Sequence, residues 1–542
     1  MSESPQLLSG DEAIALAALH AGVRLGTGYP GTPSTEILET FDRLGGRAQW
    51  SPNEKVALEV GLGAAFGGAR TLVTMKHVGL NVAADPLFTA TYTDLAGGLV
   101  LVSADDPGMA SSQNEQDNRH YARAAAVPML EPIDSQQAYD LTLLAFEISE
   151  RWQIPVILRI TTRVCHSKTI VRPGATPHLS PEPDFARNIP SRVMIPAYAK
   201  PAHRRLREKI AAIATWNDAQ GPNQVFDGGS ALGIIATGIA AVHAREAAPQ
   251  ARLLNIGMTH PLPLETIRRF AGGCDRLVVL EEGDPVLVEA LAAAGIPAEG
   301  KPESFRFGEL TVQRVRRILT HDQTPEPVPP KGKPPELCQG CSHRGVFEVL
   351  RDMNCIVAGD IGCYTLGVLP PFQAMDTCVC MGASIGVGLG LRHVLPEDQA
   401  RRVVSVIGDS TFVHSGITGL AEMVYNPPKT GHVVMILDNG TTAMTGQQEH
   451  PGTGRTLHHD PTGKICFEDL ARAMGVQNVH VVHFQSEEGT LERLLKDLLT
   501  RSETSLVVAR QPCVLAAPKI RFYEKAAADR LQAACPSQLA DD

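Results

Sequence analysis

VVSVIGDSTFVHSGITGLAEMVYNPPKTGHVVMILDNGTTAMTGQQ, residues 403–448, decides the fold. Two β-branched runs each end in turn-forming residues: Gly408-Asp409 closes the first, and Asp438-Asn439-Gly440-Thr441 closes the second, about thirty residues on. Short apolar runs ending this way are the pattern of parallel strands buried on both faces. The pattern recurs outward along the chain in GGLVLVSAD (97–105), IPVILRIT (154–161), ALGIIATG (231–238) and RLVVLEEGD (276–284). Stretches such as EAIALAALHAG (12–22), LVEALAAAG (287–295) and FEDLARAMG (467–475) have helical spacing and finish on a capping Gly. The expected fold class is therefore α/β, with three doubly wound parallel-sheet domains. In such sheets ligands sit beyond the carboxyl ends of the strands, so the Gly- and Asp-rich exits are where chemistry belongs.

Composition narrows the function. The 542 residues exceed one core. With 43% hydrophobic and 20% charged residues, a disordered or fibrous chain is excluded. Forty-nine basic residues against fifty-nine acidic ones, with no long basic run, exclude nucleic acid as a main partner. The start, MSESPQLLSGDEAI, lacks the basic head and apolar run of a signal peptide, and no run of about 18 apolar residues predicts a membrane span. Eleven scattered cysteines fit a reducing cytoplasm, where clustered thiols mean metal or redox chemistry. Two Pro-rich stretches, VRPGATPHLSPEPDFARNIPSR (171–192) and HDQTPEPVPPKGKPPE (321–336), read as linkers. The expected organisation is a first domain at 1–175, a linker at 176–225, a middle domain at 226–320, a linker at 321–335, a third domain at 336–517 and a helical tail at 518–542.

Three constellations carry chemistry. An acid and a side-chain amide at neighbouring strand ends, Asp409 and Asn439, suit a hard cation such as Mg²⁺ shared with phosphate oxygens, although each motif singly is also a common turn. Cys338-Gln-Gly-Cys341, with Cys363 and Cys513 downstream, could complete a tetrahedral cage for zinc or an iron–sulfur cluster; a thioredoxin-like redox pair is the other reading of the CxxC. Cys378 and Cys380 sit in an apolar run and read as buried structural thiols. Glu54 opens a small-residue helix, where a first-turn acid is also favoured by the helix dipole. GASIGVGLGL (382–391) has no clean GxGxxG after a strand, so it reads as a closely packed helix and not a nicotinamide site.

The spacing of GDS and DNG resembles the thiamine diphosphate fingerprint. LDNGTTAMTGQQEHPGTG, GYPGTPSTEI, SPNEKVALEVGLGAA, TMKHVGLNVAADPL, LRITTRVCHS, CQGCSHRG, DIGCYTLG and CVCMGASIGVGLG together resemble the alpha subunits of the indolepyruvate branch of the 2-oxoacid:ferredoxin oxidoreductases. The likeness covers about residues 8–516. It implies that the first domain binds the pyrimidine of thiamine diphosphate and that the third binds its diphosphate. The middle one would correspond to a transketolase C-terminal domain, serving packing, association and coenzyme A contact. By that likeness Gly408, Asp409, Ser410, Asn439 and Thr441 bind the cofactor, with Asp409, Asn439 and the Thr441 carbonyl on Mg²⁺. Ser410 replaces the family's usual glycine.

Glu54 matches the family's activating glutamate, which hydrogen-bonds the aminopyrimidine; Glu59 is nearby but does not match. Thr32 matches a residue near cofactor and substrate. Arg123 matches an arginine that pairs the substrate carboxylate, a role for which Arg119 competes on residue type alone. His77 faces the substrate or is structural. Cys338, Cys341, Cys363 and Cys513 match the ligands of the [4Fe–4S] cluster nearest the cofactor. The implied reaction is oxidative decarboxylation of an aryl 2-oxoacid (indolepyruvate or phenylpyruvate type) to acyl-CoA and CO₂. The implied partners are coenzyme A, a smaller beta (gamma-type) subunit, ferredoxin or another iron–sulfur carrier, and at least a second copy of this chain. The sequence runs to Asp542 without the repeated CxxCxxCxxxCP of the family's ferredoxin domain, so either a partner subunit is expected to carry those clusters or the acceptor differs from ferredoxin. A non-oxidative decarboxylase or carboligase without a cluster is the alternative, and a non-enzymatic scaffold the third.

Overall fold

The computed structural model describes residues 4–174, 182–327, 332–483 and 489–534. Parts of both expected linkers and the end of the tail, with Cys535, lie outside these. The chain divides into two compact units, Met1–Pro327 and Val328–Asp542. The first unit holds two main sheets and the second holds one. No helix among the described residues is long and apolar enough to cross a membrane.

The larger sheet of the first unit runs, in spatial order, Met258–His260, Met129–Leu130, Val156–Thr161, Leu99–Asp105, Thr71–Lys76, Leu25–Gly28 and Ala48–Trp50. Six of these strands are parallel, and Met258–His260 adds an antiparallel edge. Leu99–Asp105 and Val156–Thr161 are buried at every position, as central parallel strands covered on both faces must be. The chain runs from Leu25–Gly28 outward to Ala48–Trp50 and returns on the other side as Thr71–Lys76. The strand order therefore reverses between Leu25–Gly28 and Thr71–Lys76, which makes a crevice at their carboxyl ends.

The smaller sheet, Leu277–Leu280, Gly229–Ala236, Ala251–Asn255 and Gln224–Phe226, is parallel except at its last edge. Residues 176–225 are not a linker throughout, because Pro196–Gln220 is one helix. Pro196 sits at its start, where a missing amide costs nothing, and Leu206 and Ile213 bury its inner face. Asn217 on this helix donates to the carbonyls of Met258 and Pro261, tying it to the strand that the middle segment lends to the first sheet.

A buried ion cluster joins the two sheets. Arg119 donates to Asp117, to Glu281 Oε2 (2.6 Å) and to the Glu282 carbonyl (2.7 Å). Arg159 donates to Asp105 Oδ2 (2.7 Å) and Glu131 Oε2 (3.0 Å). Burial pushes Asp117 up, but the two guanidiniums outweigh it and hold its carboxyl well below the usual range. Glu281 and Asp105, with less compensation, are left raised by burial. Removing one partner of such a network leaves charge buried and unpaired. Arg119→Ala should therefore lower stability by roughly 3–5 kcal/mol in urea unfolding, and an unchanged midpoint would show that the cluster is not a lock.

The second unit is a five-stranded, all-parallel sheet in the order Ile356–Ala358, Val403–Gly408, His432–Asp438, Thr504–Arg510 and Asn478–His483. Residues 382–391 lie at the head of the helix Ala383–Val394, as expected from their small side chains. That helix lies so close to the sheet that a β-carbon on Gly388 would fall 2.2 Å from Ser405 Oγ.

Candidate functional site

In the first unit, three of the four expected residues stand at the exits of three neighbouring strands. Thr32 follows Leu25–Gly28, Glu54 follows Ala48–Trp50, and His77 follows Thr71–Lys76. This is the edge at which the strand order reverses. Glu54 is the first residue of the helix Glu54–Phe66, whose N-cap Asn53 accepts from the Val56 amide at 2.9 Å. Its side chain is buried against Gly79, where a β-carbon would lie 2.6 Å from Glu54 Oε1. Glu59, by contrast, is exposed and paired with Lys55.

His77 is buried, and its Nε2 meets the Asn114 carbonyl at 3.1 Å while Nδ1 has no partner. Burial lowers its pKa against the pull of Asp105, so the neutral ring is favoured. Gly31, beside Thr32, packs on Lys76, beside His77: a β-carbon there would meet Lys76 Cβ at 3.0 Å. Arg123, unlike these residues, is exposed, on the helix Arg119–Ala125. Arg119 is fully spent in the ion cluster and is not free to meet a substrate.

In the second unit, Asp409 and Asn439 leave the strands Val403–Gly408 and His432–Asp438, which pair in parallel. Asp409 Oδ1 accepts from the Ser410 amide (2.9 Å), and Oδ2 accepts from the Gly440 amide (2.8 Å). His450 Nδ1 accepts from the Gly452 amide (3.1 Å), which leaves the proton on Nε2, 3.3 Å from Asp409 Oδ2. Burial pushes the Asp409 carboxyl up, yet His450 and the two amides bring it below the ordinary value. Asn439 turns Nδ2 toward His343 Nε2 (3.4 Å) and accepts from the Thr441 amide at Oδ1 (3.1 Å). Burial depresses His343 to about 4, so it stays neutral and can accept that bond. Ser410 takes a hydrogen bond from Thr442 Oγ1 at 2.8 Å, which fixes the side chain that stands where the fingerprint has glycine. Asp409, Asn439 and the Thr441 carbonyl are an oxygen set that fits Mg²⁺. His450 and His343 were invisible to sequence reading because their partners lie 41 and 96 residues away.

The four expected cysteines gather. Cys338, Cys341, Cys363 and Cys513 line one pocket, whose wall includes Asn439 and His343. The CxxC is a turn in which the Cys341 amide donates to the Cys338 carbonyl (3.1 Å), and the Cys513 amide donates to the Asn439 carbonyl (2.9 Å). Burial, and then Cys513, Cys341 and Cys338, push the Cys363 thiol up to about 11. Thiols that oppose one another's ionisation are relieved by a cationic centre, so the donor set fits a metal group. Among the described residues no three of these sulfurs come within 4.8 Å of one another. A single zinc ion with bonds near 2.3 Å would need them about 3.8 Å apart. Cys378 and Cys380 are exposed, not buried as expected: their segment bridges the outer edge of the sheet at Thr377–Ala358, where no further strand covers it.

Both halves match known families. Residues 16–185 match the family described as pyruvate flavodoxin/ferredoxin oxidoreductase, thiamine diP-bdg, and residues 360–509 match thiamine pyrophosphate enzyme, C-terminal TPP binding domain. Fold and sites thus define a thiamine diphosphate-dependent 2-oxoacid oxidoreductase. The indolepyruvate oxidoreductase subunit IorA of Methanothermobacter thermautotrophicus is 40% identical over 95% of this chain and 88% of its own length. The same subunit of Pyrococcus abyssi is 38% identical over 94% and 86%. The chain belongs to this family of indolepyruvate oxidoreductase IorA subunits. A solved 2-oxoglutarate:ferredoxin oxidoreductase from Magnetococcus marinus shares the fold at 17% identity and TM-score 0.51, over 59% of this chain and 65% of that one.

His450 gives a direct test of the Asp409 site. His450→Ala should weaken Mg²⁺-dependent thiamine diphosphate binding about 10–100-fold, the usual cost of losing a partner that orients a metal ligand. His450→Gln, which keeps a donor, should restore part of it. Equal affinity in all three proteins, measured calorimetrically, would remove His450 from the site.

Proposed function

We propose that this subunit carries out oxidative decarboxylation of aryl 2-oxoacids of the indolepyruvate or phenylpyruvate type, yielding acyl-CoA and CO₂. Electrons leave through a [4Fe–4S] cluster on Cys338, Cys341, Cys363 and Cys513. The observation that carries this reading is the shared pocket: four thiols and Asn439 line the same wall, so the electron exit begins where the cofactor's diphosphate end is held. Four thiols gathered in one pocket are the complement a [4Fe–4S] cluster takes, and they are the four the family likeness implies.

Gly408, Asp409, Ser410, Asn439 and Thr441 are assigned to thiamine diphosphate and its Mg²⁺. When bound, the cofactor supplies the nucleophilic carbon and the electron sink that 2-oxoacid decarboxylation needs. Glu54 is assigned the proton exchange at the aminopyrimidine, and its buried place at a helix head keeps that carboxyl away from competing water. Thr32 and neutral His77 face the substrate, the latter able to pass or hold one proton. Arg123 is assigned the substrate carboxylate. The working assembly includes at least two copies of this chain, a smaller beta (gamma-type) subunit, and ferredoxin or another iron–sulfur carrier, in the cytoplasm.

Two measurements test the reading. Anaerobically purified chain should hold about four irons with matching sulfide and give a dithionite-reduced EPR signal, and Cys363→Ser should lose both. An iron-free chain that still binds thiamine diphosphate would transfer the assignment to a non-oxidative decarboxylase. Glu54→Gln should keep cofactor affinity and lose turnover by at least about 100-fold, within the range of general acid–base contributions. Full activity in that variant would overturn the role of Glu54.

A further inference from the structure

Away from these sites, three segments distant in sequence meet on the first unit. They are the first turn of the helix Gly10–His20, the first turn of Thr35–Arg43 and the last residue of Thr162–His166. There one oxygen of Asp11, one of Glu36 and one ring nitrogen of His166 all lie within 4.8 Å of one another. The backbone beneath is tightly fixed. A β-carbon on Gly10 would fall 2.3 Å from the Val164 carbonyl oxygen, so only glycine lets the helix start this close. Ser9 pairs with Lys168 in the antiparallel ribbon of Gln6–Ser9 and Lys168–Val171.

Asp11 is the unusual member. It is 1% exposed, and its carboxylate oxygens meet no N–H or O–H donor; the neighbouring Cys165 thiol, a weak donor, is what the chain offers it. A buried ionised carboxylate without a partner is costly. The surroundings offer it no cation: Glu36 and Glu12 add negative charge, and Lys168 is engaged by Glu12 at 3.2 Å. Burial, and then Glu36, drive the Asp11 carboxyl well above the usual range. The Cys165 thiol beside it is itself raised by burial and by Asp11. Glu36 and His166 are exposed, so the cluster has one buried member and two at the surface.

We propose that Asp11, Glu36 and His166 form a binding site for a divalent first-row transition metal ion, with zinc as its ligand of choice. One imidazole with two carboxylates is a zinc-type donor set, whereas magnesium and calcium favour oxygen alone. The ion would neutralise Asp11 and staple three segments together. One of them is the helix Thr35–Arg43, whose Thr35 hydroxyl accepts from the Gly31 amide at 3.0 Å next to Thr32. The role is structural, and it does not depend on the reaction proposed above.

The full chain, stripped of metal by chelator dialysis, tests this by calorimetric titration with zinc chloride. Free thiols of the cysteine pocket could compete for added zinc once the chain is stripped, so the reading is a difference in stoichiometry. His166→Ala and Glu36→Gln, both at exposed positions, should each bind one zinc fewer per chain than the parent. They should also lose the part of the zinc-induced rise in Tm that this ion supplies. Asp11→Asn should lose the same equivalent and, by removing an unpaired buried charge, raise the Tm of the metal-free chain. Identical stoichiometry and affinity in the parent and His166→Ala would overturn the site, as would a metal-free Asp11→Asn chain that melts below the parent.

Discussion

The parallel register that sets Asp438 opposite Arg510 governs the second unit. One residue beyond this pair on one strand stands Asn439, and three beyond on the other stands Cys513. The Gln511 amide donates to the Asp438 carbonyl and the Cys513 amide to the Asn439 carbonyl, so the two strand exits stay bonded past the end of the sheet. Arg510 also bridges Asp438 (2.7 Å) and Glu468, which clamps the exit from the side. A slip of one residue would turn every side chain to the opposite face. It would also separate the thiol from the amide that shares its pocket. The juxtaposition of Asn439 and the four cysteines is therefore a property of strand pairing before it is a property of any side chain.

The first unit reaches its site by a different constraint. Its active edge lies at a reversal of strand order, which leaves a crevice without carving one from loops. Farther along the sheet, Arg119 and Arg159 hold the exits of Leu99–Asp105 and Leu277–Leu280, each shared among several buried carboxylates. Two arginines cannot fully compensate that many acids, and the raised states of Glu281 and Asp105 record the deficit. The cluster is better understood as fixing the relation of two sheets than as a source of net stability.

How much was legible in the sequence follows from these constraints. All six apolar runs, most of them ending in Gly, Asp or Ser, hold strands, because buried parallel strands must be continuous in hydrophobicity. Leu25–Gly28 was not legible: LGTG carries almost no side chain to form a pattern, and its identity as a strand comes from neighbours on both sides. Pro196–Gln220 was hidden behind prolines, of which Pro196 marks its start and Pro201 lies within its first two turns. The convergence of Cys338, Cys341, Cys363 and Cys513 followed from the family likeness, since spacing alone left zinc and thioredoxin-like readings open. His450 and His343 could not be read, because their work is to meet partners that only the folded chain supplies.

Asp409 and Asp11 show why burial alone does not assign a role. Both are acidic residues in the first turn of a helix, and both are almost wholly removed from solvent. Around Asp409 two amides and an imidazole N–H are already aimed at the carboxylate, so it is ionised when the chain folds. A carboxyl lowered in this way adds stability above its unfolded pKa, and that stability is lost as pH falls through the native value. Around Asp11 no amide or imidazole N–H is in place, only the weak Cys165 thiol, and burial leaves its carboxyl raised. Its sign is the reverse: the native state is weakened at neutral pH, where the unfolded chain ionises freely, and recovers as pH falls below the native value. The first arrangement is an anion prepared by the protein for a cation. The second is an anion for which the protein supplies acidic and imidazole neighbours but no compensating charge, so the compensation has to come from outside the chain, as a proton or as a metal ion.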